Sequence, residues 1–198
     1  MDDHSAWLRR FYDAEMQDRA GRPLGSARER LVDDFGRLLR AEHRSQLLEV
    51  GCGAGRDGLR LAGPGISYTG VDLSAAAVRV CRDLGLAAVE ASATALPFAD
   101  DAFDAAWSMS TLMHLVHDGF GEAVQELARV LRSGGIVEIG VWGHAETREW
   151  ISPDGRFFNQ RSDHELLRGL RPLGEVEAFE TWGGDDGGGH YQWARVRT

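Results

Sequence analysis

Hydrophobic positions along this chain recur at helical spacing before residue 47 and in short strand-like runs after it. Trp7, Leu8, Phe11 and Tyr12 share one stripe of a helix expected over 6–16. In "SARERLVDDFGRLLR" the apolar positions Leu31, Phe35, Leu38 and Leu39 repeat the pattern. Ser26 and Glu29 have capping-box spacing, in which side chains and backbone satisfy each other's free amides. "GRPLG" between the helices reads as a turn.

From residue 47 the strand-like runs are "LLEV", "SYTGVDL", "LAAVEAS", "FDAAWSM" and "GGIVEIGVW". Helical segments separate them: one from Arg56, one capped by Ser74 and stopped by Gly85, and "GEAVQELARVLR". This alternation predicts right-handed β-α-β units and a parallel sheet. Ser162 and Glu165 form a second capping-box pattern before "DHELLRGL". "EVEAFETW" and "HYQWARVRT" then face each other across "GGDDGGG", which predicts an antiparallel hairpin at the sheet edge with a mobile tip. One domain is expected over 1–198: a helical cap (1–44), a core (45–142) and a C-terminal helix and hairpin (143–198).

Composition narrows the function classes. Hydrophobic residues at 43% and charged ones at 27% are those of a soluble globular chain. The net charge of −9 leaves no general basic face for nucleic acid, although all 22 basic residues are Arg. No apolar run is long enough to span a membrane, and the acidic N-terminus is no secretory signal. Cys52 and Cys81 are distant in sequence and make no C-x-x-C pair, so neither a disulfide framework nor a cysteine metal site is expected. A cytoplasmic monomer or small homo-oligomer is the expectation.

The candidate chemistry begins at "LLEVGCGAGRD". Gly53, Gly55 and Gly58 spell the dinucleotide fingerprint, but the strand ends at Val50, and a count from Gly51 puts Arg56 at the sixth position. Glu49 would also set a carboxylate near a pyrophosphate, a like-charge contact. A phosphate-free guest carrying a sulfonium and an ammonium reverses that sign. Asp72, ending the second strand, can accept hydrogen bonds from both hydroxyls of a ribose. The electrostatics favour S-adenosylmethionine.

Four stretches, "LLEVGCGAGRD", "YTGVDLS", "ALPFADDAFDAAWSMSTLMHL" and "ELARVLRSGGIVEIG", span roughly residues 45–142. In that order they resemble the class I, Rossmann-like S-adenosylmethionine-dependent methyltransferases of the small type 11 kind. The resemblance implies an α/β, doubly wound, mostly parallel seven-stranded sheet with a C-terminal antiparallel hairpin strand. It implies that Gly51, Cys52, Gly53 and Gly55 lie beside the methionyl portion, with Glu49 supporting its amino group. Leu73 would pack on the adenine, and Ser108 and Met109 would border the sulfur. Ser92 departs from the family pattern, which commonly has an acid there; a neutral bond from Ser92 or the Ala93 backbone would replace it. Tyr12 on the first helix would cover the pocket.

His114 and His117, three apart, could share a helical face, but two histidines and Asp118 make no metal cage, so no metal is expected. His114, after the fourth strand, is a candidate general base, and His144, after the fifth, a second one. The expected activity is methyl transfer by in-line displacement to an O, N or C nucleophile of a small-molecule acceptor. A non-catalytic S-adenosylmethionine-binding protein and an NAD-dependent oxidoreductase are the rivals. Asp104 is expected to fix the turn into the fourth strand, and Trp107 to be core.

Overall fold

The two N-terminal stripes form helices α1 (Asp3–Ala20) and α2 (Ser26–Ala41) in a computed structural model that describes residues 3–184 and 189–198. Helix α2 buries Leu31, Val32, Phe35 and Leu39, and each such side chain removed from water contributes about 1.5–3 kcal/mol. The capping box expected at its start does not form. Gly25 is the capping residue, with no side-chain bond, because Ser26 already belongs to the helix and Glu29 reaches across to Arg60 at 3.2 Å.

Seven strands make the main sheet: β1 (Gln46–Val50), β2 (Ser67–Asp72), β3 (Ala88–Glu90), β4 (Phe103–Met109) and β5 (Leu131–His144), joined by β8 (Glu175–Gly184) and β9 (Gly189–Arg197). Their order is β3-β2-β1-β4-β5-β9-β8. The first five are parallel; β9 runs antiparallel to β5, and β8 antiparallel to β9. The expected mixed sheet and edge hairpin are both present; residues 185–188 of "GGDDGGG" lie outside the described residues. The hairpin made by β6 (Arg148–Ile151) and β7 (Phe157–Gln160) is additional, and sequence reading missed it. β6 is exposed at all four positions, so no hydrophobic alternation marks it.

The connecting helices are α3 (Arg56–Leu61), α4 (Ala75–Asp83), α5 (Gly119–Val130) and α6 (Asp163–Leu170). Ser74 caps α4 by accepting from the Ala77 amide at 3.1 Å, and Ser162 caps α6 by accepting from Glu165 at 3.3 Å. Alternation along the strands divides the core between the two sheet faces. Leu48 and Val50 join the layer containing Val124, Leu127 and Leu166, while Leu47 joins the one containing Phe35, Leu61 and Trp107. Trp107 is fully buried and stacks on Phe35 with ring centroids 5.1 Å apart. The carboxylate of Asp104 accepts from the amides of Ser45 and Gln46 at 3.0–3.1 Å, so it fixes the entry to β1 rather than the turn into β4.

Candidate active site

Order reverses between β1 and β4, and in open α/β sheets a crevice forms beyond the strand ends at such a point. A cavity of about 860 Å³ lies there. Glu49–Ala54 from the end of β1 onward, Val71–Leu73 at the end of β2, Ala91–Thr94 after β3 and Met109–Thr111 from the end of β4 onward line it. Leu8, Tyr12, Met16 and Arg19 of α1 line it from a separate element.

Two glycines shape the loop in different ways. Gly51 has φ +82°, and a Cβ there would lie 1.9 Å from Oγ1 of Thr111. Gly53 has φ +50°, and a Cβ there would meet nothing within 4 Å, so the missing side chain leaves open space. Asp72 ties this loop down: Oδ2 accepts from the Gly53 amide at 2.8 Å, and Oδ1 from the Ser74 amide at 2.9 Å. Burial raises the Asp72 carboxyl above its ordinary value, against the two amides that favour its charge. Each oxygen keeps a lone pair for a further donor.

Glu49 does not present a free carboxylate to the cavity. It is 3% exposed on the cavity floor, and its Oε2 accepts from the Tyr68 hydroxyl at 2.5 Å. Burial, and then neighbouring Asp57, push the Glu49 carboxyl well above the usual range. Asp57 is paired: its Oδ2 accepts from Nε of Arg28 at 2.7 Å and from the Trp107 indole at 2.8 Å. Cys52 lines the cavity, and its Sγ lies 3.6 Å from that of Cys81, both being free thiols. The two cysteines distant in sequence are therefore in contact.

Leu73, Ser92, Ala93 and Met109 also line the cavity, and Ser92 shares a 2.9 Å hydroxyl contact with Thr94. Three sequence-predicted residues lie outside the lining. Ser108 is fully buried, with its hydroxyl donating to the Val50 carbonyl at 3.0 Å; alternation along β4 brings Met109, not Ser108, to the cavity. Gly55 caps α3 from the position before it, with φ +72°, and faces Leu86, Cys81 and Leu84. His144 is carried past the cavity because β5 continues in its pairing with β9, opposite Gly189, and the Glu146 amide donates to its Nδ1 at 3.1 Å.

His114 lies in a single 3-10 turn (Leu112–His114), and His117 has φ +51°, so the two histidines share no helical face. The Phe157 carbonyl can only accept, so Nδ1 of His114 donates to it at 2.8 Å. Nε2 then accepts from the Tyr12 hydroxyl at 3.0 Å. Burial lowers the His114 imidazole to about 4, helped by Arg156 and Arg19. The ring is neutral at physiological pH. Among the described residues, no three His, Cys, Asp or Glu side chains are grouped to hold a metal ion. No helix there is long and apolar enough to cross a membrane.

Sequence reasoning missed Arg28, Asp57, Arg19 and Arg156. Asp57 directly follows the loop and was detectable as an acid at the start of α3. Arg28 meets it from 29 positions away, which no spacing rule conveys.

Residues 48–139 match the family model described as "Methyltransferase domain". An O-methyltransferase, resE, of Aspergillus sclerotiorum is 34% identical over 163 residues, covering 75% of this chain and 61% of that protein. The chain spans about half the length of the curated relatives it matches. Among solved structures, the 1,6-didemethyltoxoflavin-N1-methyltransferase of Burkholderia thailandensis, with bound S-adenosylhomocysteine, superposes with a TM-score of 0.80 at 22% identity. That match covers 99% of this chain and 89% of the other. The [4+2]-cyclase SpnF superposes with a TM-score of 0.67 at 25% identity, covering 84% and 80%.

Proposed function

The chain belongs to the class I, Rossmann-like S-adenosylmethionine-dependent methyltransferases, and on that premise we propose that it methylates a small-molecule acceptor held in the switch-point cavity. The observation that carries this reading is the pairing of Asp72 with Gly53. A carboxylate with free lone pairs ends β2 beside a glycine whose absent side chain leaves space. Asp72 holds the ribose hydroxyls, Leu73 packs on the adenine, and Ser92 and the Ala93 backbone meet its amino edge. Gly51, Cys52 and Gly53 lie along the methionyl portion, while Met109, with Ser110 and Thr111 rather than Ser108, borders the sulfur. Glu49 would act from beneath the loop, its ionised form favoured by the cofactor's ammonium.

Bound there, the cofactor supplies a methyl group made electrophilic by its sulfonium. The protein supplies binding, alignment and exclusion of water. Helix α1 covers the cavity with Leu8, Tyr12 and Met16. His114 orients Tyr12 by accepting its proton-bearing hydroxyl. Aligning a nucleophile with the methyl carbon can remove on the order of 7–11 kcal/mol of barrier.

Calorimetry with S-adenosylmethionine, its demethylated product and NAD tests the reading. Binding of the first two and not of NAD is expected. Asp72→Ala is expected to weaken cofactor binding at least about tenfold, since hydrogen bonds to charged groups are worth ~1.5–3 kcal/mol. Unchanged affinity in that variant refutes the ribose contact, and uptake of NAD alone refutes the function. The likeness to a cyclase makes a direct assay of methyl transfer to an acceptor necessary, because one fold hosts several reactions.

A further inference from the structure

The lining of the cavity around Tyr12 carries a charge preference that bears on the acceptor. The guanidinium carbon of Arg19 lies 4.9 Å from the Tyr12 ring centroid. That of Arg156 lies 5.3 Å from Phe158 and 5.5 Å from Phe11, and Phe158 packs edge-on to His114 at 4.6 Å. Asp154 holds the Nε–Nη2 edge of Arg156 at 2.7–3.1 Å, and Arg156 also donates to the Tyr12 oxygen. Nε of Arg19 is buried without a hydrogen-bond partner among the described residues, with the Glu15 carboxylate 3.9 Å away. A buried guanidinium N–H of this kind awaits an acceptor.

The lining acids belong to other segments: Glu49 and Asp57 at the glycine loop, Asp72 at the end of β2, and Asp118 and Glu122 at the start of α5. Of these, Asp72 acts on the Tyr12 phenol, but the lining charges acting most strongly on His114 are Arg156 and Arg19. At the histidine end the charged groups in the lining are thus two guanidiniums, whose carboxylate neighbours Asp154 and Glu15 lie outside it.

We propose that this end of the cavity binds an acceptor whose reacting oxygen is already ionised, a carboxylate or an acidic enol or phenol, with Arg19 and Arg156 as its counter-charges. The inference rests on the methyl-transfer reading above. It accounts for the absence of a competent base at His114, whose only free lone pair is taken by Tyr12 and whose imidazole burial holds at about 4. Charge balances without one: an oxyanion that takes a methyl group from a sulfonium gives two neutral products and releases no proton. A protonated amine would instead meet two like charges.

Shape-matched probes of different charge test it. Protein saturated with S-adenosylhomocysteine is titrated with 2-naphthoate, 2-naphthamide and 2-naphthylmethylamine. The carboxylate is expected to bind at least about tenfold more tightly than the amide, and the amine more weakly than both. In Arg156→Gln and Arg19→Gln the carboxylate preference is expected to fall below about threefold, with affinity for S-adenosylhomocysteine retained as the control on folding and on the cofactor site. Equal affinity for the three probes, absence of binding included, overturns the proposal. So does a loss of S-adenosylhomocysteine affinity with the naphthoate preference intact, which assigns the guanidiniums to the cofactor. If S-adenosylhomocysteine itself does not bind, the methyl-transfer reading falls, and the same series on unloaded protein still decides the charge preference.

Discussion

Burial sets the charge of Glu49 at the glycine loop. Asp57 accepts from both Arg28 and the Trp107 indole, whereas Glu49, buried with one phenol donor and with Asp57 nearby, is pushed towards its neutral form. Position before a Gly-x-Gly loop placed Glu49 at the cavity, but the sequence held no sign that its charge would be suppressed. His114 shows the same effect with opposite sign. Its imidazole ordinarily titrates at 6.5 and here at about 4, so below 6.5 the unfolded chain takes up a proton that the native chain refuses. Stability is thus unaffected above about 6.5, falls as pH drops from 6.5 to about 4, and levels off below. At ~1.4 kcal/mol per tenfold change, the full loss is about 3 kcal/mol, of which about 2 kcal/mol has occurred by roughly pH 5. Urea unfolding of the wild type and His114→Gln at pH 7.5 and 5 isolates this contribution. The variant is expected to lose less stability between the two values; identical losses would count against a buried neutral imidazole.

At the scale of elements, helices and long strands were readable because each carries its own period. The stripes of α1 and α2, the caps at Ser74 and Ser162, and the five parallel strands all follow local rules. What escaped was contact between elements. Asp13, an acid of α1 outside its apolar stripe, accepts from the Ser74 hydroxyl at 2.5 Å and from the Ala76 amide at 3.0 Å. Helix α1 thereby supplies an acceptor to the N-terminus of α4, where free amides and the helix dipole both favour a negative charge. Met16 continues the contact by packing with Ala54 and Ala77. Asp13→Ala is expected to loosen α1 by about 1–2 kcal/mol, the usual cost of losing a cap. Amides of residues 4–20 should then exchange faster in deuterium, and the bound demethylated cofactor should dissociate faster, while the sheet keeps its protection. Unchanged exchange in α1 would mean that its apolar face alone holds it in place.

For the whole molecule, the crevice is a consequence of strand order, and strand order is the property that periodicity conveys least directly. The resemblance of four stretches implied a doubly wound, mostly parallel sheet without giving that order, and Gly51, Gly53, Asp72 and Met109 from those stretches do line one cavity. The far side of that cavity is built from α1 and from Arg156, between β6 and β7, whose association depends on tertiary packing. A ligand touching both sides links segments distant in the chain and should stabilise the native state as a unit. A compound that binds only the native state adds RT ln(1 + [L]/Kd), which is about 2.7 kcal/mol at a hundredfold excess over Kd. For a chain of this size each kcal/mol raises the melting temperature by roughly 2–4 °C, so the demethylated cofactor should raise it by about 5–11 °C. NAD at the same concentration should leave it unchanged, since no phosphate-binding fingerprint begins where β1 ends. A rise with NAD and none with the sulfur compound would reverse the assignment of the crevice, because the same glycine loop would then be cradling a pyrophosphate despite the acids beneath it.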